Sequence, residues 1–383
     1  MEYNVTMPEN ADSCKMESRL KDLCAGIKGK DASAADRARQ HWDSLAKPLG
    51  SLGLLEEMVV KIAGICGSGD VSLPRRDLLV FCADNDVIRQ GVSQSSSDVT
   101  TAVALSLARG QSTASYMAKE ARCSVYPVNI GMHDTCLVAD EQGKYLKGFC
   151  IREGTGDITE GPAMTRAECI RAIFAGIELA GQRKEAGASI VLAGEMGIGN
   201  TTTATAVSAV LLQKEPSLLT GRGAGLSDEG LKRKTEVIEK AIQTNRPDPA
   251  DPIDILRKVG GLDLAGLCGL CLGGARYRVP ILLDGVITLC AACCAALLCP
   301  ACKDALLVSH ASAEPAARWL LEELGMEAPI QAKLRLGEGT GALLALSLLD
   351  QTLALYQSGH TFSHLGIEPY KRLSEGEQEC LRS

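Results

Sequence analysis

The sequence predicts an α/β protein: a doubly wound, mostly parallel sheet with a smaller helical domain built from both chain ends. Three observations predict it. Five short apolar runs each end in Gly, Asn, Asp, Ser or His and lead into a helical stretch, as buried parallel strands joined by crossover helices do. Hydrophobic residues make up 46% of the 383 positions, enough to bury a large core. Aromatics reach only 3% while glycine reaches 39 residues, a composition suited to closely packed helices and tight backbone turns.

Taken in order, residues 1 to about 70 read as helical, with apolar side chains at three and four spacing. The pattern breaks at Lys47-Pro48 and at the glycines of LGSLG. Ser51 is placed to cap the following helix, with Glu56 and Glu57 in its early turns. Pro74 opens a different regime. DLLVFCADND, CSVYPVNIGMHD, ASIVLAGEMGIGN, PILLDGVIT and DALLVSHAS are the five strand candidates. Together they define a large domain over 75–347, with 1–74 and 348–383 forming the small one. The tail reads as a helix with a polar end that packs back on the amino-terminal helices. In such folds ligands bind at the carboxyl ends of the strands, where the polar clusters fall.

Composition excludes several function classes. A net charge of −7 argues against a nucleic-acid binder, which needs a basic face for phosphates. The first residues, MEYNVTMPENADSCK, are polar and acidic where a secretory leader needs an apolar core. The apolar stretch 285–302 contains Pro300 and is built of small side chains, so it reads as a buried strand end and helix rather than a membrane span. A cytoplasmic protein is expected. Sixteen cysteines include the tandem pairs Cys290/Cys293 and Cys299/Cys302, with Cys268/Cys271 as a third. Their neighbours are Ala and Leu, so core packing as small hydrophobes is expected rather than a metal site.

Three glycine-rich segments could carry chemistry. Gly194-Glu195-Met196-Gly197-Ile198-Gly199-Asn200-Thr201-Thr202-Thr203 follows a strand and opens a helix read over 202–212. Free N–H groups at such a helix start suit a phosphate, but no Lys-Ser/Thr follows, so it is not a Walker loop. Glu195 inside an anion site costs free energy unless it acts on something cationic. Gly221-Arg222-Gly223-Ala224-Gly225-Leu226-Ser227-Asp228 precedes Lys232, Arg233 and Lys234 on a helix. It reads equally as a phosphate loop or as a flexible loop and solvated helix face. Leu334-Arg335-Leu336-Gly337-Glu338-Gly339-Thr340-Gly341 sets a carboxylate at a helix mouth. There it could serve as a general base or simply as an N-terminal cap. Further loop candidates are Asp84-Asn85-Asp86 with Gly91-Val92-Ser93, Asn129-Ile130-Gly131, Asp263, Asp284-Gly285, and Ser309 through Glu314. No GxSxG elbow accompanies the Ser, His and Asp residues, and His310 reads equally as structural or catalytic.

Taken together these segments resemble the nicotinate-nucleotide:dimethylbenzimidazole phosphoribosyltransferases. The resemblance runs through KPLGSLG at 47, GVS at 91, GEMGIGNTT at 194, GRGAGL at 221, VGGLDLAGLCG at 259, PILLDGVIT at 280, SHASAEP at 309 and LRLGEGTGA at 334. It implies a large doubly wound domain, a small helical one, and a dimer with itself or with a paralogue. It implies transfer of phosphoribose from nicotinate mononucleotide to an aromatic base, with nicotinate leaving and the anomeric carbon inverted, for cobamide synthesis. No cofactor and no metal are implied. By the resemblance Glu338 is the general base and Glu195 a second carboxylate near the reacting centre. Gly197, Gly199, Asn200, Thr201, Lys234 and Ser312 are the matching phosphate positions, with Thr202 and Gly223 beside them, and Ser93, Asp84 and Leu336 lie toward the acceptor. The chain departs from the family at two places. Where relatives commonly show Asp-His-Gly it has Asp84-Asn85-Asp86, and where they carry an aromatic, a proline and a glutamine after GVS it has Gln94-Ser95-Ser96-Ser97-Asp98. Losing a ring removes a stacking surface worth about 0.5–1.5 kcal/mol and adds hydroxyls. The alternatives are therefore a phenol or p-cresol acceptor, giving an O-glycoside, or a non-catalytic nucleotide-binding subunit.

Overall fold

The computed structural model describes residues 13–133 and 149–371; the amino-terminal dozen and the polar end of the tail lie outside the described residues. The five apolar runs are strands: β1 (Arg76–Ala83), β2 (Ser124–Gly131), β3 (Ile190–Met196), β4 (Ile281–Leu283) and β5 (Leu306–Val308). They form one sheet in the order β2-β1-β3-β4-β5, every adjacent pair parallel. All eight residues of β1 are buried, the reason its run from Leu78 to Ala83 is continuously apolar instead of alternating. After β1 the chain steps outward to β2, then returns to the other side of β1 for β3. That reversal makes a crevice beyond the carboxyl ends of β1 and β3. Phe81 pairs with Glu195 and Cys82 with Met196, so β3 delivers its glutamate into this crevice.

Helices cover the sheet. Among the longest are α6 (Arg166–Glu185) and α11 (Leu262–Tyr277), which lie against each other. Glycine sets how close they come. A Cβ on Gly176 would stand 1.9 Å from Gly266 O, and one on Gly269 the same 1.9 Å from Ile173 O, so the two backbones touch where side chains would hold them apart. This accounts for a large core with few rings. The start of α6 carries a capping box, with Thr165 accepting from Glu168 N–H and Glu168 accepting from Thr165 N–H at 2.8 Å. The apolar stretch after β4 is α12 (Val286–Leu298). Cys290, Cys293, Cys299 and Cys302 are buried in the hydrophobic core with Cys268 and Cys271, packed as small apolar side chains. Among the described residues no helix is long and apolar enough to cross a membrane.

The chain forms two compact units. The larger comprises Leu73–Leu346 together with α1 (Ser13–Ala25). Assigning α1 to the small domain from sequence is therefore corrected. Its Met16 and Leu20 are buried, its Glu17 pairs with Arg166 of α6 at 2.8 Å, and Arg19 lies over the Phe174 ring. Helical periodicity marks a buried face but not what buries it.

The second unit comprises Lys30–Ser72 and the chain from Ser347 onward. It holds α2 (Ala32–Ser44), α3 (Leu54–Cys66), most of α14 (Thr340–Tyr356) and α15 (Phe362–Leu365). Asp31 caps α2 by accepting from Ala34 N–H at 3.0 Å. Tyr356 packs edge-on against His41 and Trp42, at 4.4 and 4.9 Å between centroids, as the expected return of the tail requires. Ser51 does not cap α3. Gly53 is the N-cap and has no side-chain bond. Buried Glu56 reaches back instead, accepting from Leu52 N–H at 2.9 Å and pairing with half-buried Lys47 at 2.7 Å.

Candidate active site

A cavity opens at the carboxyl ends of β1, β3, β4 and β5, within the larger unit. Among the sequence-predicted residues, Glu195, Gly197, Gly199, Asn200, Thr201, Gly223, Lys234, Ser312, Ser93, Leu336 and Glu338 line it. Segments more than two hundred residues apart in the chain thus meet in one place.

One half is built from amides and a cation. Gly199 ends the β3 turn at φ +95°, the left-handed region, and a Cβ there would stand 2.7 Å from Ile88 Cγ2, so only glycine fits. It is also the N-cap of α7 (Asn200–Leu211), with no side-chain cap. The helix start is therefore two residues earlier than the sequence suggests, and its positive end faces the cavity. Opposite lies α9 (Asp228–Asn245), from which Lys234 projects fully buried. Its Nζ donates to Thr201 Oγ1 at 2.9 Å and to Gly221 O at 3.2 Å. Burial pushes the Lys234 ammonium down to about 8, opposed by Glu314. Glu314 in turn accepts from Gly223 N–H at 3.1 Å, which ties the second glycine loop to the β5 loop. Ser312 donates to Leu334 O at 3.3 Å.

The other half is acidic. Glu195 sits at the end of β3, and burial, helped by the nearby Asp263 carboxyl, pushes it up to about 8 against a hydrogen bond from Asn200 Nδ2. Asp263, at the start of α11, is itself raised to about 6 by burial despite accepting from Leu264 N–H at 2.9 Å. Facing Glu195 is the Gly337-Glu338-Gly339 loop, with φ of +89°, +58° and +80° in succession. A left-handed conformation at a non-glycine residue is strained, and here it turns Glu338 into the cavity. Glu338 Oε2 accepts from Ala114 N–H at 3.3 Å, in the first turn of α5 (Thr113–Glu120). Burial raises the Glu338 carboxyl above its usual range. A Cβ on Gly337 would stand 2.6 Å from Glu195 Oε1, so the two glutamates approach across a glycine. His310, also on the wall, is pushed down to about 4 by burial and shares a hydrogen bond with Ser309 Oγ at 3.0 Å, so its ring is neutral.

Two predicted residues are placed elsewhere. Asp84, at the end of β1, is buried and turns inward to accept from His133 N–H at 2.8 Å; it does not line the cavity. Thr202 is fully buried on the inner face of α7. Conversely, Val286 and Thr288 of the first turn of α12 line the cavity; PILLDGVIT reads as a strand run, and a lone threonine at its end does not single them out. Arg222, also on the wall, is held by Asp228.

The chain is similar to known proteins over most of its length. The phosphoribosyltransferase family model matches residues 27–367. The chain is 42% identical over 347 residues to the nicotinate-nucleotide–dimethylbenzimidazole phosphoribosyltransferase of Ruminiclostridium cellulolyticum, covering 91% of this chain and 97% of that one. It is 43% identical over 336 residues to the protein of the same name from Acetivibrio thermocellus, covering 88% and 94%. The crystal structure of CobT from Thermus thermophilus superposes with a TM-score of 0.81 at 35% identity, covering 88% of this chain and 99% of that one. The chain belongs to the phosphoribosyltransferase family.

Proposed function

We propose that this phosphoribosyltransferase moves the phosphoribosyl group of nicotinate mononucleotide onto a ring nitrogen of 5,6-dimethylbenzimidazole or a related base, releasing nicotinate and an α-ribotide for cobamide synthesis. The observation that carries this reading is the division of one cavity into an amide-and-lysine half and a two-glutamate half. Nicotinate mononucleotide is polarised the same way, with a phosphate dianion at one end and a pyridinium cation at the other. The α7 start, the Gly223 loop, Ser312 and Lys234 hold the phosphate, where its charge restores the Lys234 ammonium that burial weakens.

At the other half, the C1′–N bond breaks and its electrons pass to the pyridinium nitrogen, which leaves as neutral-ring nicotinate. The acceptor's unprotonated ring nitrogen attacks the opposite face of C1′ with its lone pair, and the proton on its other ring nitrogen goes to Glu338, which leaves the product ring neutral. A base whose pKa is raised toward the working pH suits that transfer. Glu195 stands near the positive charge that develops on the ribose. That charge favours its ionised form, opposing the burial that raises it. Ser93 and Leu336 border the acceptor. The reading includes a two-subunit assembly, checked by sedimentation, and a cytoplasmic setting, in keeping with buried thiols throughout the core.

The test is to incubate the purified chain with nicotinate mononucleotide and separate acceptors, following nicotinate and product by mass spectrometry. A nucleotide-mass product with 5,6-dimethylbenzimidazole or benzimidazole, faster than any product with phenol or p-cresol, is expected. No nicotinate release with any acceptor would overturn the reading, and an O-glycoside formed faster than the benzimidazole product would move the acceptor class.

A further inference from the structure

We infer that Asp284 is a positioning residue for the reaction, holding Glu338 in its strained conformation; the inference rests on Glu338 being the base proposed above. Asp284 follows β4 and is buried, 2% exposed. Its carboxylate reaches across to the glutamate loop. Its Oδ2 accepts from Gly339 N–H at 3.2 Å, and its Oδ1 accepts from Gly341 N–H at 2.8 Å and Ala342 N–H at 3.1 Å. Those donors belong to the residue after Glu338 and to the first turn of α14, so one carboxylate caps the helix and pins the strained turn together.

The remaining neighbours close the loop from other sides. A Cβ on Gly194 of β3 would stand 3.0 Å from Glu338 C and O, and one on Gly341 would stand 2.1 Å from His310 Nδ1. His310 Nδ1 lies 3.9 Å from Asp284 Oδ1, and its neutral ring fills the space behind the carboxylate. Strained backbone persists only where its surroundings over-determine it. Here Asp284 supplies the directional part of that restraint, and packing supplies the rest. Gly339 immediately precedes α14, so the Oδ2 bond that completes the cap also fixes the residue after Glu338, and capping the helix and holding the turn are one act.

The test is a double-mutant cycle on the full chain. Asp284→Asn keeps an acceptor for Gly341 and Ala342 but sets an amide NH2 against Gly339 N–H, so α14 stays capped while the Glu338 turn is released. Turnover is expected to fall about 10–100-fold, as loss of positioning does, with the Kd for nicotinate mononucleotide unchanged within about threefold, because Lys234 and α7 are untouched. Asp284→Asn combined with Glu338→Gln should be no slower than Glu338→Gln alone. Losses that multiply, or a weakened nucleotide Kd in Asp284→Asn, overturn the positioning role. Asp284→Glu, measured beside it, guards against a folding defect: a variant that melts like wild type yet keeps full turnover in both substitutions also overturns it. Wild-type nicotinate release in the same assay separates the two failures, since its absence overturns the reading of the site and its presence leaves only the role of Asp284 at issue.

Discussion

The two halves of the cavity solve the same problem with opposite charges. Lys234 is fully buried and Glu195 half-buried at the end of β3, and loss of water moves each toward neutrality, the ammonium down to about 8 and the carboxyl up to about 8. Their supports differ. Lys234 is held by ordinary hydrogen bonds from a helix of regular geometry. The glutamate side is held in three consecutive left-handed residues and braced by a buried aspartate. The difference teaches that binding a phosphate needs charge and donors in place, whereas removing a proton at a reacting carbon needs a side chain fixed in one orientation. Among the cavity residues the left-handed non-glycine is Glu338, on the reacting half, whereas Gly199 and Gly223 of the binding half take left-handed backbone at little cost.

Breaking the reacting half has the largest expected effect. Glu338→Gln should lower kcat by about 10²–10⁴-fold, the range of a lost general base, with little change in the KM for nicotinate mononucleotide; steady-state nicotinate release reads both. If KM rose as steeply as kcat fell, Glu338 would be a binding residue and the comparison would collapse.

Breaking the binding half comes next. Lys234→Met should raise the KM for nicotinate mononucleotide about 10–100-fold, the weight of hydrogen bonds to a charged group. It should leave the nicotinate riboside, which lacks the phosphate, turned over as slowly as before. An equal effect on nucleotide and riboside would place Lys234 away from the phosphate.

A smaller effect sharpens where strain sits. Gly337→Ala puts a Cβ at φ +89° and against Glu195 Oε1, and should cost about 1–3 kcal/mol of stability with a fall in turnover. Thermal melting checks it; an alanine variant as stable and as active as wild type would mean that the loop is not constrained there.

The smallest is a pH effect without substrate. A carboxyl raised on folding keeps its proton in the native state over the range where the unfolded chain has lost it. Its contribution is fully present below the ordinary value of 4.5 and is lost as pH rises toward about 8 for Glu195. The melting temperature should therefore decline between pH 5 and pH 8, and decline less steeply in Glu195→Gln. Parallel slopes in the two proteins would mean that Glu195 is ionised in the folded state.

Much of the fold is legible in the sequence. Each of the five apolar runs is a strand because strands buried on both faces must be continuously apolar, and that signal is local. The glycine segments at 194, 221 and 334 were legible for a related reason, since tight turns at strand ends demand glycine. What was hidden is what depends on partners distant in sequence. The amphipathic face of α1 does not say that α6 covers it. Ser51 looked like a cap, but Glu56, already engaged with Lys47, reaches Leu52 N–H better. Asp84 is read from the sequence as lying toward the acceptor, yet it turns inward to accept from His133 N–H. Asp284 was visible as a loop acid, but its grip on residues 339–342 joins positions 55 to 58 apart that no spacing rule connects.

The separation of the two halves is tested most directly by equilibrium titration of nicotinate mononucleotide into wild type, Glu338→Gln and Lys234→Met side by side. The account predicts that Glu338→Gln binds within about threefold of wild type while Lys234→Met binds about 10–100-fold more weakly. Glu338→Gln losing as much affinity as Lys234→Met would contradict it.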